Sequence, residues 1–216
     1  TLDRLTASAD SLSAQFGSHS VFSISADVSE ASGRAKIVEF CQQQSGSLNI
    51  LINNAGTNIR KPALEYSDEE YQHIFDTNLR SCFELCRALH PLMKLQPNAS
   101  ITNVSSVAGR THLRTGAPYG MTKAAMNQLT KNLAVEWAPD GIRVNVVAPW
   151  YIETPLAKQV LQNPEYRAEV IKRTPMKRVG RVEEAAAAVV SLCLPSASYI
   201  TGQCLAVDGG FSVYGF

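Results

Sequence analysis

Tyr119 and Lys123 are two side chains suited to proton transfer, and they stand four residues apart in a segment with helical apolar periodicity. Residues at i and i+4 share one face of a helix, with about 5–6 Å between their Cβ atoms. A lysine ammonium at that distance favours the phenolate, so we expect the pKa of Tyr119 to fall from its usual value of about 10 towards neutrality. Such a tyrosine would serve as a general acid. Taken alone, however, a Tyr-x-x-x-Lys spacing is more often a surface pair.

Polar residues follow four of the predicted strands, at the ends where open α/β sheets bind their ligands. These residues are Asp27, Asn53 to Gly56, Ser105 with Ser106, and Pro149 with Trp150. One such end means little, because Asn, Gly and Ser also favour ordinary turns. Gly56 is equally a turn residue or a point where the backbone approaches a flat ligand. Four ends in series predict an elongated cleft.

Short β-branched runs alternate with longer helical patterns along the chain. The predicted strands are 21–25, 48–52, 101–104, 142–147 and 204–207, and the predicted helices are 2–16, 31–44, 68–95, 117–137 and 182–194. Ser67 and Glu70 have the spacing of a capping box. The alternation predicts one α/β domain over residues 1–216, with a mostly parallel sheet and right-handed crossovers. The proline-dotted segment 149–175 is predicted to be an irregular lid.

Composition excludes several classes of function. The 216 residues carry a net charge of +1 and no basic stripe interleaved with aromatics, so we expect a small-molecule partner and neither nucleic acid nor a membrane. The five cysteines contain no CxxC pair; Cys82 and Cys86 are expected to pack in the core, without a disulfide framework or a metal. The strongly apolar run 185–194 is half the ~20 residues of a membrane span, and no signal pattern is present, which favours a cytoplasmic protein.

Further motifs accompany the Tyr-Lys pair. Ser106 precedes Tyr119, Asn78 lies in a Thr-Asn-Leu stretch, Asn-Asn-Ala-Gly stands at 53–56, and Ala-Val-Asp-Gly-Gly stands at 206–210. This combination resembles the short-chain dehydrogenase/reductase family from about Leu2 to the end of the chain. Segments 140–145 and 192–202 and the final Gly-Phe are similar to the plant tropinone-reductase-like subgroup.

The resemblance implies a role for each residue of the catalytic set. Tyr119 would give its proton to a carbonyl oxygen as hydride reaches the carbon, or take it back in the oxidative direction. Lys123 would hold the nicotinamide ribose and keep Tyr119 acidic. Ser106 would stabilise the developing charge on the same oxygen, and Asn78 would anchor a water that relays protons through Lys123.

The resemblance also implies the cofactor contacts, a ketone or secondary alcohol as substrate, and a homodimer or homotetramer. NADP(H) is favoured over NAD(H). The contact residues, besides Tyr119 and Lys123, are Asp27 and Val28 at the adenine, Asn54, Ala55 and Gly56 on the adenosine side, and Ile152 and Thr154 at the nicotinamide carboxamide.

Two features depart from the family pattern. Trp150 stands where the family usually has glycine, so we expect its ring in the substrate-binding pocket, where it narrows the site or changes how Ile152 presents its backbone. The family's glycine-rich phosphate-binding turn, Thr-Gly-x-x-x-Gly-x-Gly, is missing from this sequence. Residues 115–120 mimic part of that turn, but polar residues precede them instead of a strand.

The predicted fold is therefore a Rossmann-like, doubly wound α/β domain that is truncated at its N-terminus, without the family's first strand, first helix and second strand. Run 21–25 would be the family's third strand, and run 48–52 would expose a sheet edge. Two functions remain open: an NADP-dependent carbonyl reductase or secondary alcohol dehydrogenase, or a catalytically impaired homologue whose helices 68–95 and 117–137 serve in dimerisation.

We expect the isolated chain to bind NADPH far more weakly than a full-length homologue. The reason is that backbone amides at a helix N-terminus normally hold the pyrophosphate, and the turn that supplies them is missing from this sequence. Titration of the purified chain with NADPH by fluorescence or calorimetry tests this, together with light scattering. Micromolar affinity in a cooperatively folding dimer would contradict it.

Overall fold

Four parallel strands form one sheet in the computed structural model, which describes residues 2–215, apart from the side chains of residues 2 and 4. The strands are β1 (Ile50–Asn53), β2 (Ala99–Val104), β3 (Ile142–Pro149) and β4 (Cys204–Val207), paired in that order. Their registers align Ile50 with Ser100, Ala99 with Ile142 and Val146 with Cys204. Because the strands are parallel neighbours, the carboxyl ends of all four lie at the same end of the sheet. This confirms the Rossmann-like α/β class.

Eight α-helices connect and cover the strands within the described residues. They are α1 (Leu2–Phe16), α2 (Ala31–Ser45), α3 (Asp68–Phe75), α4 (Ser81–Met93), α5 (Ala117–Glu136), α6 (Pro155–Leu161), α7 (Pro164–Arg173) and α8 (Val182–Cys193). The predicted helix 68–95 is divided, because the π-helical turn Asp76–Arg80 separates α3 from α4. The predicted capping box is present: Ser67 Oγ accepts from the Glu70 amide, and the Glu70 carboxylate accepts from the Ser67 amide.

Two sequence predictions were wrong. Run 21–25 is irregular, so the described sheet has four strands instead of five. A β-branched run becomes a strand only where a neighbour completes its hydrogen-bond ladder, and Phe22 is instead largely exposed. Segment 149–175 is helical over much of its length. Two of its four prolines, Pro155 and Pro164, stand at the starts of α6 and α7, where a missing amide hydrogen costs nothing, and Thr154 and Asn163 cap the two helices.

The core lies on both faces of the sheet. On one face, strands β2 and β3 pack against α4 and α5, and this cluster contains Cys82 and Cys86, as predicted. On the other face, Val147 packs against Val189 and Leu192 of α8. Within residues 2–215, no helix is long and apolar enough to cross a membrane, and no three His, Cys, Asp or Glu side chains are grouped as metal ligands.

Strand β1 lies at the edge of the sheet. It pairs with β2 alone among the described strands. Its Ile50 and Ile52 remain 44% and 45% exposed, although the strand is apolar enough for burial on both faces. The expected exposed edge is therefore present at run 48–52.

Candidate active site

A cleft of about 570 Å³ opens at the carboxyl ends of the strands. One wall is apolar and comes mainly from α8: Val182, Ala185, Ala186, Val189 and Val190. The rest of the lining includes eight of the residues that the sequence predicts for the site: Asn54, Gly56, Ser106, Tyr119, Lys123, Trp150, Ile152 and Thr154. A cleft is thus present at three of the four predicted strand ends, since Asp27 does not line it, and residues from four separate segments converge on it.

Ser106 and Tyr119 are brought together by a short 3₁₀ helix, Val107–Gly109, that follows β2. Ser106 caps this helix, because its Oγ accepts a hydrogen bond from the Ala108 amide at 3.1 Å. A hydroxyl that accepts in this way keeps its own hydrogen free to donate. Tyr119 lies in the first turn of α5, and this helix begins directly after its left-handed N-cap residue, Gly116.

Gly109 allows the 3₁₀ helix to pack against the backbone of α5. A Cβ at this position would lie 2.6 Å from the Lys123 carbonyl carbon and 2.7 Å from the Ala124 nitrogen. Two hydrogen bonds cross the same contact: Ser105 Oγ donates to the Lys123 carbonyl at 3.1 Å, and Asn127 Nδ2 donates to the Gly109 carbonyl at 3.3 Å. The position of Ser106 relative to Tyr119 therefore depends on a residue without a side chain.

Lys123 is only 3% exposed. Its ammonium donates to the Val104 carbonyl at 2.9 Å and lies 5.6 Å from the centroid of the Tyr119 ring. Burial disfavours the charged form and lowers the pKa of Lys123 to about 8. The residue is thus close to losing its proton at mildly alkaline pH.

The expectation that Lys123 lowers the pKa of Tyr119 was wrong. Burial raises the pKa of Tyr119 above its usual value, and the opposing effects of hydrogen bonding with Ser106 and of the Arg60 charge are smaller. The Lys123 ammonium is directed at a backbone carbonyl, and its own charge is disfavoured by the same burial. Tyr119 therefore holds its proton firmly at neutral pH.

Asn78 is fully buried in the π-helical turn behind the cleft. Its Oδ1 accepts from the Thr57 amide at 2.8 Å, while its Nδ2 donates to the Thr57 carbonyl at 2.9 Å and to Thr122 Oγ1 at 3.2 Å. These bonds tie the loop after β1 to helix α5. They hold Gly56 so close that a Cβ there would lie 3.6 Å from Lys123 Nζ.

This arrangement agrees with comparisons to known proteins. Residues 2–212 match a family model described as enoyl-(acyl carrier protein) reductase. A tropinone reductase homolog of Arabidopsis thaliana is 53% identical over 197 residues, which are 89% of this chain and 75% of the relative. The chain belongs to the short-chain dehydrogenase/reductase family. It is an NAD(P)-dependent oxidoreductase similar to the tropinone reductases, as its motifs predicted.

Solved structures place it in the same family. The L-sorbose reductase from Gluconobacter frateurii, complexed with NADPH and L-sorbose, has a TM-score of 0.90 and 32% identity, and the match covers 98% of this chain and 84% of that one. A gluconate 5-dehydrogenase from Burkholderia cenocepacia, in complex with NADP and tartrate, has a TM-score of 0.86 and 30% identity, with 94% and 81% covered.

Asp27 and Val28 do not line the cleft of this short-chain dehydrogenase/reductase. The Asp27 carboxylate accepts from the Ser29 hydroxyl at 2.7 Å and the Ser29 amide at 2.9 Å, and these bonds lower its pKa. Val28 packs beside Leu85 and Leu89 against α4. Because run 21–25 forms no strand, Asp27 and Val28 do not follow the carboxyl end of a strand in the described sheet. Ala55 is exposed next to the cleft without lining it.

Trp150 occupies its position without backbone strain, because it does not have a positive φ. Its ring stacks on Phe211 with centroids 3.7 Å apart, and its Nε1 donates to Thr174 Oγ1 at 3.1 Å. Trp150 is among the residues that line the cleft, and its ring is held by the C-terminal segment and by Thr174, which follows α7. Glycine is therefore not required at this position.

Three polar residues of the cleft were missed by sequence reasoning: Asn58, Arg60 and Tyr151. The Asn58 Oδ1 is buried without a hydrogen-bond partner among the described residues. The Tyr151 hydroxyl lies 2.6 Å from that of Tyr166. Position along the chain was the available signal: Asn58 and Arg60 stand two and four residues after the Asn-Asn-Ala-Gly motif, and Tyr151 follows Trp150.

We predict that Gly109→Ala separates the 3₁₀ helix from α5, because the added methyl group meets backbone that has little room to move. A comparable overpacked contact costs about 1–3 kcal/mol. Urea denaturation of wild type and variant measures this loss in the free energy of unfolding. Gly215→Ala is the control, since a Cβ there meets nothing within 4 Å; equal stability of both variants would contradict the packing argument.

We also predict that stability rises with pH above about 8 because of Lys123. Its pKa is about 8 in the folded chain and near 10.5 unfolded, so in this window the unfolded state binds more protons and stability increases with pH, by at most about 1.4 kcal/mol per pH unit. Lys123→Met should flatten this slope in urea denaturation between pH 8 and 9.5. Lys131→Met, on the exposed face of α5, should leave it unchanged, and equal slopes in all three proteins would refute the assignment.

Proposed function

We propose that this short-chain dehydrogenase/reductase is an NADP-dependent carbonyl reductase that also runs in reverse as a secondary alcohol dehydrogenase, with Tyr119 as general acid and base. The observation that carries the proposal is the convergence of Ser106, Tyr119 and Lys123 on one cleft. Two hydroxyl groups and an amine beside an enclosed apolar wall suit the polarisation and protonation of a carbonyl oxygen.

The side of the cleft that Gly56 and Lys123 line is suited to a nicotinamide cofactor, which when bound supplies or accepts the hydride. Gly56 lacks a side chain beside Lys123, so a flat group with hydroxyls can approach the ammonium. Lys123 uses one of its three hydrogens on Val104, which leaves two for a ribose. Asn54, Gly56, Ile152 and Thr154 would hold the same group; the solved relatives described above as complexes with NADP and NADPH favour the phosphorylated form.

In the reductive direction, Tyr119 donates its proton to the carbonyl oxygen. Its raised pKa keeps the phenol protonated over the whole neutral range, so it is ready to act as an acid. Ser106 donates its hydroxyl hydrogen to the same oxygen in place of its hydrogen bond with Tyr119, while its Oγ continues to accept from the Ala108 amide. Lys123 provides positive charge beside the tyrosine below pH 8.

Asn78 contributes by position in this proposal. Its three hydrogen bonds hold Thr57, and through it Gly56, against α5. The water relay through Lys123 stays a prediction.

We further propose a cytoplasmic homodimer or homotetramer. The exposed apolar side chains Phe83 on α4 and Met121 and Val135 on α5 support assembly through these helices.

We predict that Tyr119→Phe reduces turnover of a ketone with NADPH by about 10²- to 10⁴-fold. The ring still packs, but the transferable proton is gone, so cofactor affinity should change little. Initial rates and NADPH titration separate the two effects. Tyr151→Phe is the matched control and should retain most activity. Wild-type rates in purified Tyr119→Phe would exclude the mechanism, and an inactive wild type would favour the non-enzymatic, dimerising homologue.

A further inference from the structure

The charged side chains of the cleft are all of one sign. Arg60 and Lys123 line it, and its described lining contains no Asp or Glu. Lys123 is committed to the Val104 carbonyl and lies beside Tyr119. Arg60 belongs to none of the groups assigned so far, so the charge it brings to the cleft needs a partner.

Arg60 makes only neutral contacts within the described part of the chain. Its Nη1 donates to Gln159 Oε1 at 3.1 Å, and its Nη2 donates to the Leu156 carbonyl at 3.3 Å. A guanidinium has five hydrogens to donate, so three remain after these two bonds. Arg34 and Arg143 likewise donate to backbone carbonyls, but neither of them lines the cleft. Arg178, by contrast, pairs with the Glu184 carboxylate at 2.6 Å.

The two contacts of Arg60 hold its side chain against α6. This fixes the guanidinium on the loop that follows β1, across the cleft from the start of α5. Arg60, Tyr119 and Tyr151 line the same cleft, so the guanidinium and the two tyrosine side chains border one space. The Arg60 charge also offsets a small part of the rise that burial causes in the pKa of both tyrosines. A group bound by Arg60 would therefore be near the oxygen that Tyr119 protonates.

We propose that Arg60 is a specificity-determining residue that binds the carboxylate of the substrate, so that the enzyme acts on oxo acids and the corresponding hydroxy acids. The planar guanidinium matches a carboxylate in shape and in charge. One unpaired arginine offsets one negative charge, which suits a carboxylate better than a doubly charged phosphate ester. This inference deepens the proposed function and rests on it for the reaction.

The test compares acids with their uncharged esters. Pyruvate, acetoacetate and 4-oxopentanoate, each with its methyl ester, are assayed with NADPH in wild type, Arg60→Gln and Arg60→Lys. We expect wild type to prefer at least one acid over its ester in kcat/KM, and Arg60→Gln to reduce that preference about 10- to 100-fold, the loss expected for hydrogen bonds to a charged group. Arg60→Lys should restore part of it.

Arg114→Gln is the matched control, because Arg114 lies near the same end of the molecule but pairs with Glu169 outside the cleft. It should leave the acid-to-ester ratio unchanged. A ratio equally lowered by Arg114→Gln would show a long-range charge effect and overturn the proposal. The proposal is also overturned if wild type prefers every ester, if Arg60→Gln keeps the acid preference, or if dihydroxyacetone phosphate is a better substrate than all three acids.

Calorimetric titration of the three acids into wild type and Arg60→Gln, without turnover, separates this inference from the proposed function. Binding of an acid to wild type that weakens about 10-fold or more in Arg60→Gln supports the carboxylate site even if no ketone is reduced. If neutral ketones are reduced but none of the acids binds, Arg60 has no such role while the reductase function stands.

Discussion

The active site depends on one close contact, that of the 3₁₀ helix Val107–Gly109 with the backbone of α5. Ser106 follows the end of β2 and Tyr119 lies at the start of α5, and each supplies a hydroxyl group of the site. The chain connection between these elements does not by itself bring them into contact. Gly109 allows them to approach within the distance that a Cβ would occupy. The bonds from Ser105 and Asn127 then fix the approach, so a precise arrangement of Ser106 and Tyr119 follows from packing.

Burial is the second constraint, and it acts on Tyr119 and Lys123 together. It raises the pKa of Tyr119 and lowers that of Lys123, so both groups are biased towards their neutral forms. The two shifts have one cause, the low polarity of the space between sheet and helices. Tyr119 therefore keeps its proton at neutral pH.

The two ends of the cleft differ in the burial and hydrogen bonding of their polar groups. At the end formed by β2, β3 and α5, buried polar groups such as Asn78 and Thr122 are joined by hydrogen bonds. At the end beside β1, the sheet edge is exposed, and Asp27 and Val28 are engaged with Ser29 and α4 instead of the cleft. The hydrogen-bonded polar groups of the cleft are therefore concentrated at the end formed by β2, β3 and α5.

Local patterns in the sequence were sufficient for the four strands that form, their parallel pairing and the Ser67 capping box. They also placed Ser106 after β2, and Tyr119 and Lys123 in the first two turns of α5, because periodicity and motif spacing are short-range properties. Whether run 21–25 forms a strand depended on a neighbour in space, and the pKa of Tyr119 depended on burial, which spacing does not report. The part of Arg60 in the cleft also came only from the fold, since α6 holds it there from almost a hundred residues further along the chain. Properties carried by neighbours in sequence were readable from the residues; those carried by neighbours in space required the tertiary structure, because packing sets which groups lose water and which charges meet.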